Sequence, residues 1–226
     1  MKSSKRYKDS EKLAGKDKSF SVETAVDALK SMPVAKFDET LEFSCQLSVD
    51  PKQSDQMVRG SIVLPNGIGK KVKVLVFCEP DQENEAKEAG ADYIGSSEII
   101  DKIVKEGWFE FDYCIATPSM MKEVSKMGRV LGPRGLMPSP KTGSVTPNVT
   151  LAIKEAKRGK IDFRMDKFGC IHAGLGKLSF TKDALIENIN AFIGALNAAK
   201  PPSAKGDLMR NIFLSSTMGP SVKVLL

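Results

Sequence analysis

A single histidine, His172, stands in 226 residues, and that scarcity removes several chemistries at once. A multi-histidine metal site is excluded, and a histidine-dependent triad would have to be built on that one ring. The four cysteines, at 45, 78, 114 and 170, are far apart, each in an apolar strand-like segment and none in a CxxC or Cys/His cluster. They are expected to be reduced, buried thiols, and no metal is expected. No apolar run approaches the roughly 20 residues of a membrane span. The basic start, Met1 to Lys8, has no apolar core behind it, so no secretory signal is read and a cytoplasmic protein is expected. An apolar share of 41% with only 7% aromatics is ordinary for a globular chain, and the length suits one large domain or two modest ones.

Nucleotide-binding glycine patterns are missing as well. Gly67-Ile68-Gly69-Lys70 precedes a strand where a phosphate loop would join strand to helix. Gly174-Leu175-Gly176-Lys177-Leu178 has no glycine five positions before Gly176 and no Ser or Thr after the lysine. A nucleotide-dependent enzyme is the alternative only because open α/β sheets often bind cofactors at the carboxyl ends of their strands. No cofactor is expected. The Asn148-Val149-Thr150 sequon is a coincidence in a cytoplasmic chain.

What the sequence does have is basic charge, unevenly spread. Lys and Arg number 34 against 28 acids, a net of +6; residues 70–158 hold 14 basic and 13 acidic side chains, so the excess lies in the two flanks. Such an excess favours a polyanionic partner. The run Lys126 to Lys154 contains no acid at all, yet carries Arg129, Arg134 and Lys141 among glycines and prolines. Either it is a solvated loop or it is a second, weaker RNA-facing surface, since a stiff basic loop attracts phosphates.

Periodicity gives the organisation. The tail Lys2 to Lys18 is expected to be flexible until it meets something negative. Ser19 or Ser21 can cap a helix over Val22 to Met32, ended by Pro33. Leu41, Phe43, Cys45, Leu47 and Val49 alternate with polar residues, predicting a strand with one core face and one polar face. A second strand is expected over Val58 to Leu64. Short apolar strands at 72–77, 91–94 and 111–116 then alternate with helical stretches, the pattern of a doubly wound α/β sheet, closed by a helix over Thr150 to Lys157. Beyond it a hairpin is expected, Ile161 to Met165 and Cys170 to Ala173, carrying Arg164, Asp166, Lys167 and His172. A long helix with Leu185, Ile189, Phe192 and Leu196 on one stripe follows, then a last hairpin whose turn is Ser215 to Val222. That turn, rich in hydroxyls with Gly219 and Pro220, is either an ordinary loop or a rigid contact surface. The economical architecture is a discontinuous domain, 1–67 with 160–226, interrupted by an α/β domain, 68–159. Gly67, Ile68, Gly69, Arg158 and Gly159 would form a two-strand hinge.

Several runs then resemble one family in order along the chain: Ala35 to Thr40, Ser54 to Gly60, Leu64 to Lys70, Gly90 to Gly95, Gly128 to Pro138 and Thr217 to Val222. Together they resemble the bacterial form of the ribosomal protein L-one family, the protein of the mobile large-subunit stalk. The resemblance implies a two-layer α+β split domain with an inserted, hinged, three-layer Rossmann-like α/β/α domain. It implies binding to stalk rRNA, contact with exit-site tRNA, and repression of its own operon mRNA by a protein that is a monomer when free. It places the RNA surface on Lys36, Phe37, Thr40 and Glu42, on Arg164, Asp166, Lys167 and His172, and on Thr217, Met218 and Gly219. Hydroxyls, carboxylates and backbone groups suit the shallow, hydroxyl-lined groove of duplex RNA, and the cations suit its phosphates. A messenger-RNA regulator that never joins a ribosome would share that surface. Met57, Ser139, Thr142 and Ser144 depart from the family pattern and concern loops.

Overall fold

The computed structural model describes residues 4–15, 18–95, 97–204 and 206–225. The chain divides into two compact units, Met1–Gly69 with Ile161–Leu226, and Lys70–Lys160.

Ser4 opens α1 (Lys5–Ala14) by accepting from the Tyr7 N–H at 3.2 Å, and Gly15 ends it. The expectation of a flexible basic tail over Lys2 to Lys18 is corrected here. Ser10 and Ala14 are buried and Arg6 is paired with Glu39, so the segment finds both an apolar seat and an opposite charge within its own chain. Residues 2, 3, 16 and 17 of that tail lie outside the described residues. After β1 (Ser19–Phe20), Ser21 caps α2 (Val22–Ser31), and Ala25, Val26 and Leu29 form its buried stripe. In β2 (Thr40–Leu47) Leu41, Phe43, Cys45 and Leu47 are buried while the alternate residues are not, as the period-two pleat requires. β3 (Arg59–Val63) is the last strand before the second unit.

In the second unit β4 (Val74–Phe77), β5 (Tyr93–Gly95) and β6 (Tyr113–Ala116) form a parallel sheet in the order β5-β4-β6. Helices α3 (Glu83–Glu88), α4 (Ser97–Glu106), α5 (Met121–Lys126), α6 (Gly128–Leu131) and α7 (Val149–Gly159) connect and cover it. Alternation along β4 separates two cores. Val74 and Val76 pack with Ala86 of α3 and Ile153 of α7, and Leu75 and Phe77 pack with Ile103, Val124 and Leu131 of α4, α5 and α6. All four β4 residues are fully buried, the mark of a strand covered by helices on both faces. The result is a three-layer α/β/α unit.

The chain returns through β7 (Lys160–Arg164), β8 (Cys170–Lys177), α8 (Lys182–Ala198), β9 (Met209–Ser216) and β10 (Ser221–Val224). The first unit's main sheet has the order β1-β10-β9-β2-β8, antiparallel except for β1 with β10. The apolar stripes of α2 and α8 cover one face, with Phe192 set edge-on to Phe43 at 5.1 Å and to Phe163 at 5.5 Å. The predicted hairpin of 161–165 with 170–173 is corrected. Its turn closes, Asp166 N–H donating to Cys170 O at 2.8 Å, but β7 pairs with β3 and β8 with β2. Phe163 and Met165 insert into the core and draw β7 away from the sheet that Ile171 and Leu175 hold β8 in. The cysteines are free, and Cys45, Cys78 and Cys114 are buried; Cys170, on the uncovered face, is only partly so. Burial pushes the Cys45 thiol up to about 12, with neighbouring Cys170 adding to the shift, so it is inert at neutral pH.

Asn188 of α8, fully buried, pins the end of the chain's first passage through this unit. Its amide donates to Leu175 O at 2.7 Å and Gly67 O at 3.0 Å, and its oxygen accepts from Asn66 N–H at 3.1 Å. Asn188→Ala strands these backbone groups at about 1–3 kcal/mol each where buried, and is expected to cost roughly 2–4 kcal/mol. Urea denaturation followed by circular dichroism would show the lowered midpoint, while the fluorescence of Trp108, which belongs to the second unit, would keep its transition.

Candidate nucleic-acid interface

The face of the main sheet opposite α2 and α8 is lined by short polar side chains, and strand register decides which of them meet. Gly174, Glu42, Ser215 and Ser221 form one row across β8, β2, β9 and β10; His172, Ser44, Phe213 and Lys223 form the next; Cys170, Gln46 and Asn211 form a third. Ser44 Oγ and His172 Nδ1 share a hydrogen bond at 3.1 Å, and Asn211 Nδ2 donates to Gln46 Oε1 at 3.1 Å. A shallow depression of about 320 Å³ sits at the upper rows, lined by Thr40, Glu42, Ser44, His172, Gly174 and Thr217 among others. Hydroxyl, carboxylate, imidazole and bare backbone therefore converge on one concave patch.

The rim of that patch is the turn between β9 and β10. Gly219 N–H donates to Ser216 O at 3.1 Å, and Thr217 Oγ1 accepts from Thr40 N–H at 2.9 Å, tying the turn to the start of β2. A Cβ on Gly219 would lie 2.4 Å from Ser216 Oγ, so a side chain there would have to displace that hydroxyl. Beneath the turn lies Glu39, 2% exposed. Its Oε2 accepts from Met218 N–H at 3.1 Å, and its Oε1 accepts from Ala35 N–H at 2.8 Å and from Arg6 Nη1 at 3.2 Å. Arg6 also donates to Met218 O at 3.0 Å and Pro33 O at 3.3 Å.

The structure thus brings together Thr40, Glu42, His172 and Thr217, with Met218 and Gly219 on the same turn. Phe37 and Met218 are each 53% exposed, and Phe37 lines a separate groove of about 560 Å³ with Val34, Ala35 and Leu178. Asp166 is occupied by its own turn: Oδ1 accepts from Phe168 N–H at 2.9 Å and Cys170 N–H at 2.7 Å, while Oδ2 lies 3.9 Å from His172 Nε2. Lys36, Arg164 and Lys167 are exposed cations with no hydrogen bond or ion pair among the described residues. Arg164 ends β7 in the two-stranded ladder, outside the rows of the main sheet. Among the hinge candidates, Ile68 packs on the first unit's core, and Gly69 has φ 75° with Lys177 Cγ 2.8 Å from where a Cβ would stand. Arg158 and Gly159 are the last turn of α7.

In the second unit the acid-free segment is more structured than a loop, containing α6 and a 3-10 turn at Pro140–Thr142. Buried Ser144 donates to Ser139 O at 3.1 Å and accepts from Ser139 N–H at 2.8 Å, with Thr142 Oγ1 2.9 Å away. Arg129, Arg134 and Lys141 are exposed, and the Arg134 guanidinium lies 3.6 Å over the Phe109 ring, which fixes its plane while leaving its edge to solvent. Among the described residues no His/Cys/Asp/Glu group could hold a metal, and no helix is long and apolar enough to cross a membrane.

Sequence reasoning missed Ser44, Glu39, Arg6 and Phe168. Ser44 was legible, since the alternation that buries Phe43 and Cys45 turns it to the open face. Phe168, 83% exposed at the tip of the Asp166–Gly169 turn, was legible as a lone aromatic in a polar turn. Glu39 and Arg6 carried no local signal, because they pair with each other across 33 residues and meet Met218 from still farther away.

A split α+β unit that offers a polar sheet face, carried with an α/β unit on one chain, defines a two-domain α/β protein. The sequence model of the Ribosomal protein L1p/L10e family matches residues 29–220. The Large ribosomal subunit protein uL1 of Protochlamydia amoebophila (strain UWE25) is 52% identical over 221 residues, which are 98% of this chain and 93% of that protein. The chain belongs to the Ribosomal protein L1p/L10e family, and so is a structural ribosomal protein and not an enzyme.

Burial pushes the Glu39 carboxyl up, and hydrogen bonds from Ser216 and from the Met218 and Ala35 N–H groups, with the charge of Arg6, overcome it and hold it below its ordinary 4.5. A carboxyl with a depressed folded pKa contributes stability that is present above its unfolded pKa and is lost as pH falls through the folded one. Unfolding free energies from urea titrations are therefore expected to fall as pH drops below 4.5, and Glu39→Gln is expected to flatten that fall while lowering stability at neutral pH.

Proposed function

We propose that this chain is a structural component of the large ribosomal subunit that grips the stalk region of the large-subunit rRNA through the open sheet face of its first unit. The observation that carries the reading is the concave patch of Thr40, Glu42, Ser44, His172 and Thr217, flanked by exposed Phe37 and Met218. Duplex RNA offers a wide, shallow groove of 2′-hydroxyls and base edges. Thr40, Thr217 and Ser44 can donate to or accept from hydroxyls, Glu42 can accept from them, and the His172 ring adds a further polar edge. Phe37 and Met218 exclude water from the rim, and Lys36, Arg164 and Lys167 neutralise phosphates. In this reading Asp166 shapes its turn through Oδ1 and leaves Oδ2 to accept from the RNA.

The second unit contacts exit-site tRNA through Arg129, Arg134 and Lys141, the stacking of Arg134 on Phe109 holding its donors outward for phosphate. It moves about the crossings near Gly67–Gly69 and Arg158–Gly159 as tRNA leaves. The same sheet face takes an RNA-like site on the protein's own operon mRNA and represses its translation; the free protein is a cytoplasmic monomer. Family membership supports the ribosomal setting, and the acid-free basic surface supports the tRNA contact.

Titration against a labelled stalk RNA fragment, beside an unrelated duplex of equal length, at two salt concentrations, tests the reading. The stalk fragment is expected to bind far more tightly, and equal, salt-abolished binding to both would overturn it. Met218→Ala is expected to weaken binding by roughly 1–3 kcal/mol. Lys167→Ala is expected to lessen the slope of log K against log salt by about 0.7–0.9 for the phosphate lost.

A further inference from the structure

We propose that Arg6 and Glu39 are positioning residues for RNA recognition, a pair that holds the Met218 backbone by both its N–H and its carbonyl so that the Thr217–Met218 turn is set before RNA arrives. The inference rests on the sheet-face reading above. Met218 N–H donates to Glu39 and Met218 O accepts from Arg6, at 3.1 and 3.0 Å, and the two holding side chains pair with each other at 3.2 Å. The three contacts close a ring through the backbone of one residue, Met218, fixing the peptide groups on either side of its Cα. Glu39 also takes the Ala35 N–H and Arg6 the Pro33 carbonyl, so the segment leading to Lys36 and Phe37 is fixed by the same pair. Two segments with exposed apolar contact residues, Phe37 and Met218, are thereby held by one ion pair whose carboxylate is buried and whose guanidinium is partly exposed.

This placement makes a prediction of opposite sign to simple electrostatics. An acid beside an RNA-binding turn repels a polyanion, so its neutralisation should tighten binding if charge alone mattered. Preorganisation predicts weakening, because a loosened turn must be ordered at the cost of affinity when RNA binds. Arg6 separates likewise. A cation that touches phosphate contributes to the salt slope, whereas one spent on a carboxylate and two carbonyls does not.

The test measures affinity of full-length Arg6→Gln, Glu39→Gln and double variants for the labelled stalk RNA fragment over a salt series, with Met218→Ala as reference. Each single variant is expected to lose about tenfold in affinity with an unchanged salt slope, and the double variant to lose little more than either, since one ring is broken in every case. Amide exchange at Met218 and Gly219 is expected to quicken while that of Leu214, in the buried part of β9, keeps its protection. Glu39→Gln binding as well as or better than the parent, a salt slope lessened by about 0.7–0.9 in Arg6→Gln, or equal loss of protection at Leu214 would each overturn the proposal. If Met218→Ala weakens binding and the pair variants do not, the positioning role fails and the sheet-face reading stands. If Met218→Ala also binds at full strength, the sheet-face reading itself fails and the positioning role with it.

Discussion

β2 is paired along both edges, to β8 on one side and β9 on the other, and its register fixes what each face of the first unit is. Phe43 and Leu41 can meet α2 and α8 only if Glu42 and Ser44 turn away from them; a slip of one residue would bury a carboxylate and expose a phenyl ring. Core and candidate interface are therefore two consequences of one pairing. The apolar face contributes the burial energy, and the polar face is left over by geometry, with its side chains already spaced in rows across β8, β2, β9 and β10.

Glu39 stands immediately before β2 and extends that control beyond the sheet. A carboxylate so buried would be costly alone, since desolvation of a charge outweighs most single contacts. It is tolerated because four donors, from Arg6, Ala35, Ser216 and Met218, converge on it. The consequence is that the N-terminal helix, the segment before β2 and the turn before β10 are locked to one another, although they lie at opposite ends of the chain. The same economy of polar satisfaction appears at Asn188, whose amide serves three backbone groups at once.

The second unit is held by a different rule. β4 is covered on both faces, so its sequence is continuously apolar and offers no polar face comparable to that of β2. Its candidate contact surface must come from connecting segments, and the run between α5 and α7 is the acid-free one. The hydroxyls of Ser139, Thr142 and Ser144 give that run an internal scaffold, so a stretch that reads as loop composition is shaped without a core of its own. α6 escaped the sequence reading because its single turn sits among glycines and Pro133, where local propensity argues against helix and packing of Leu131 decides for it.

Legible in the residues alone were the period of β2, a cap for α2 at Ser19 or Ser21, the alternation of strand and helix in the second unit, and the charge that separates the acid-free run from the rest. These are local: they depend on residues within a turn or two of one another, so they can be read in order. Only the tertiary structure decided that β7 leaves β8 for β3, that the basic start folds as α1, and that Arg6, Glu39 and Met218 meet. Those outcomes turn on Phe163 and Met165 finding a core, on Ala14 finding a seat, and on a carboxylate gathering donors that include Arg6, 33 residues away, and Met218, 179 away. Contacts across such separations leave no periodicity in a sequence, because what selects them is the shape and charge of a surface that exists only after the chain has closed upon itself.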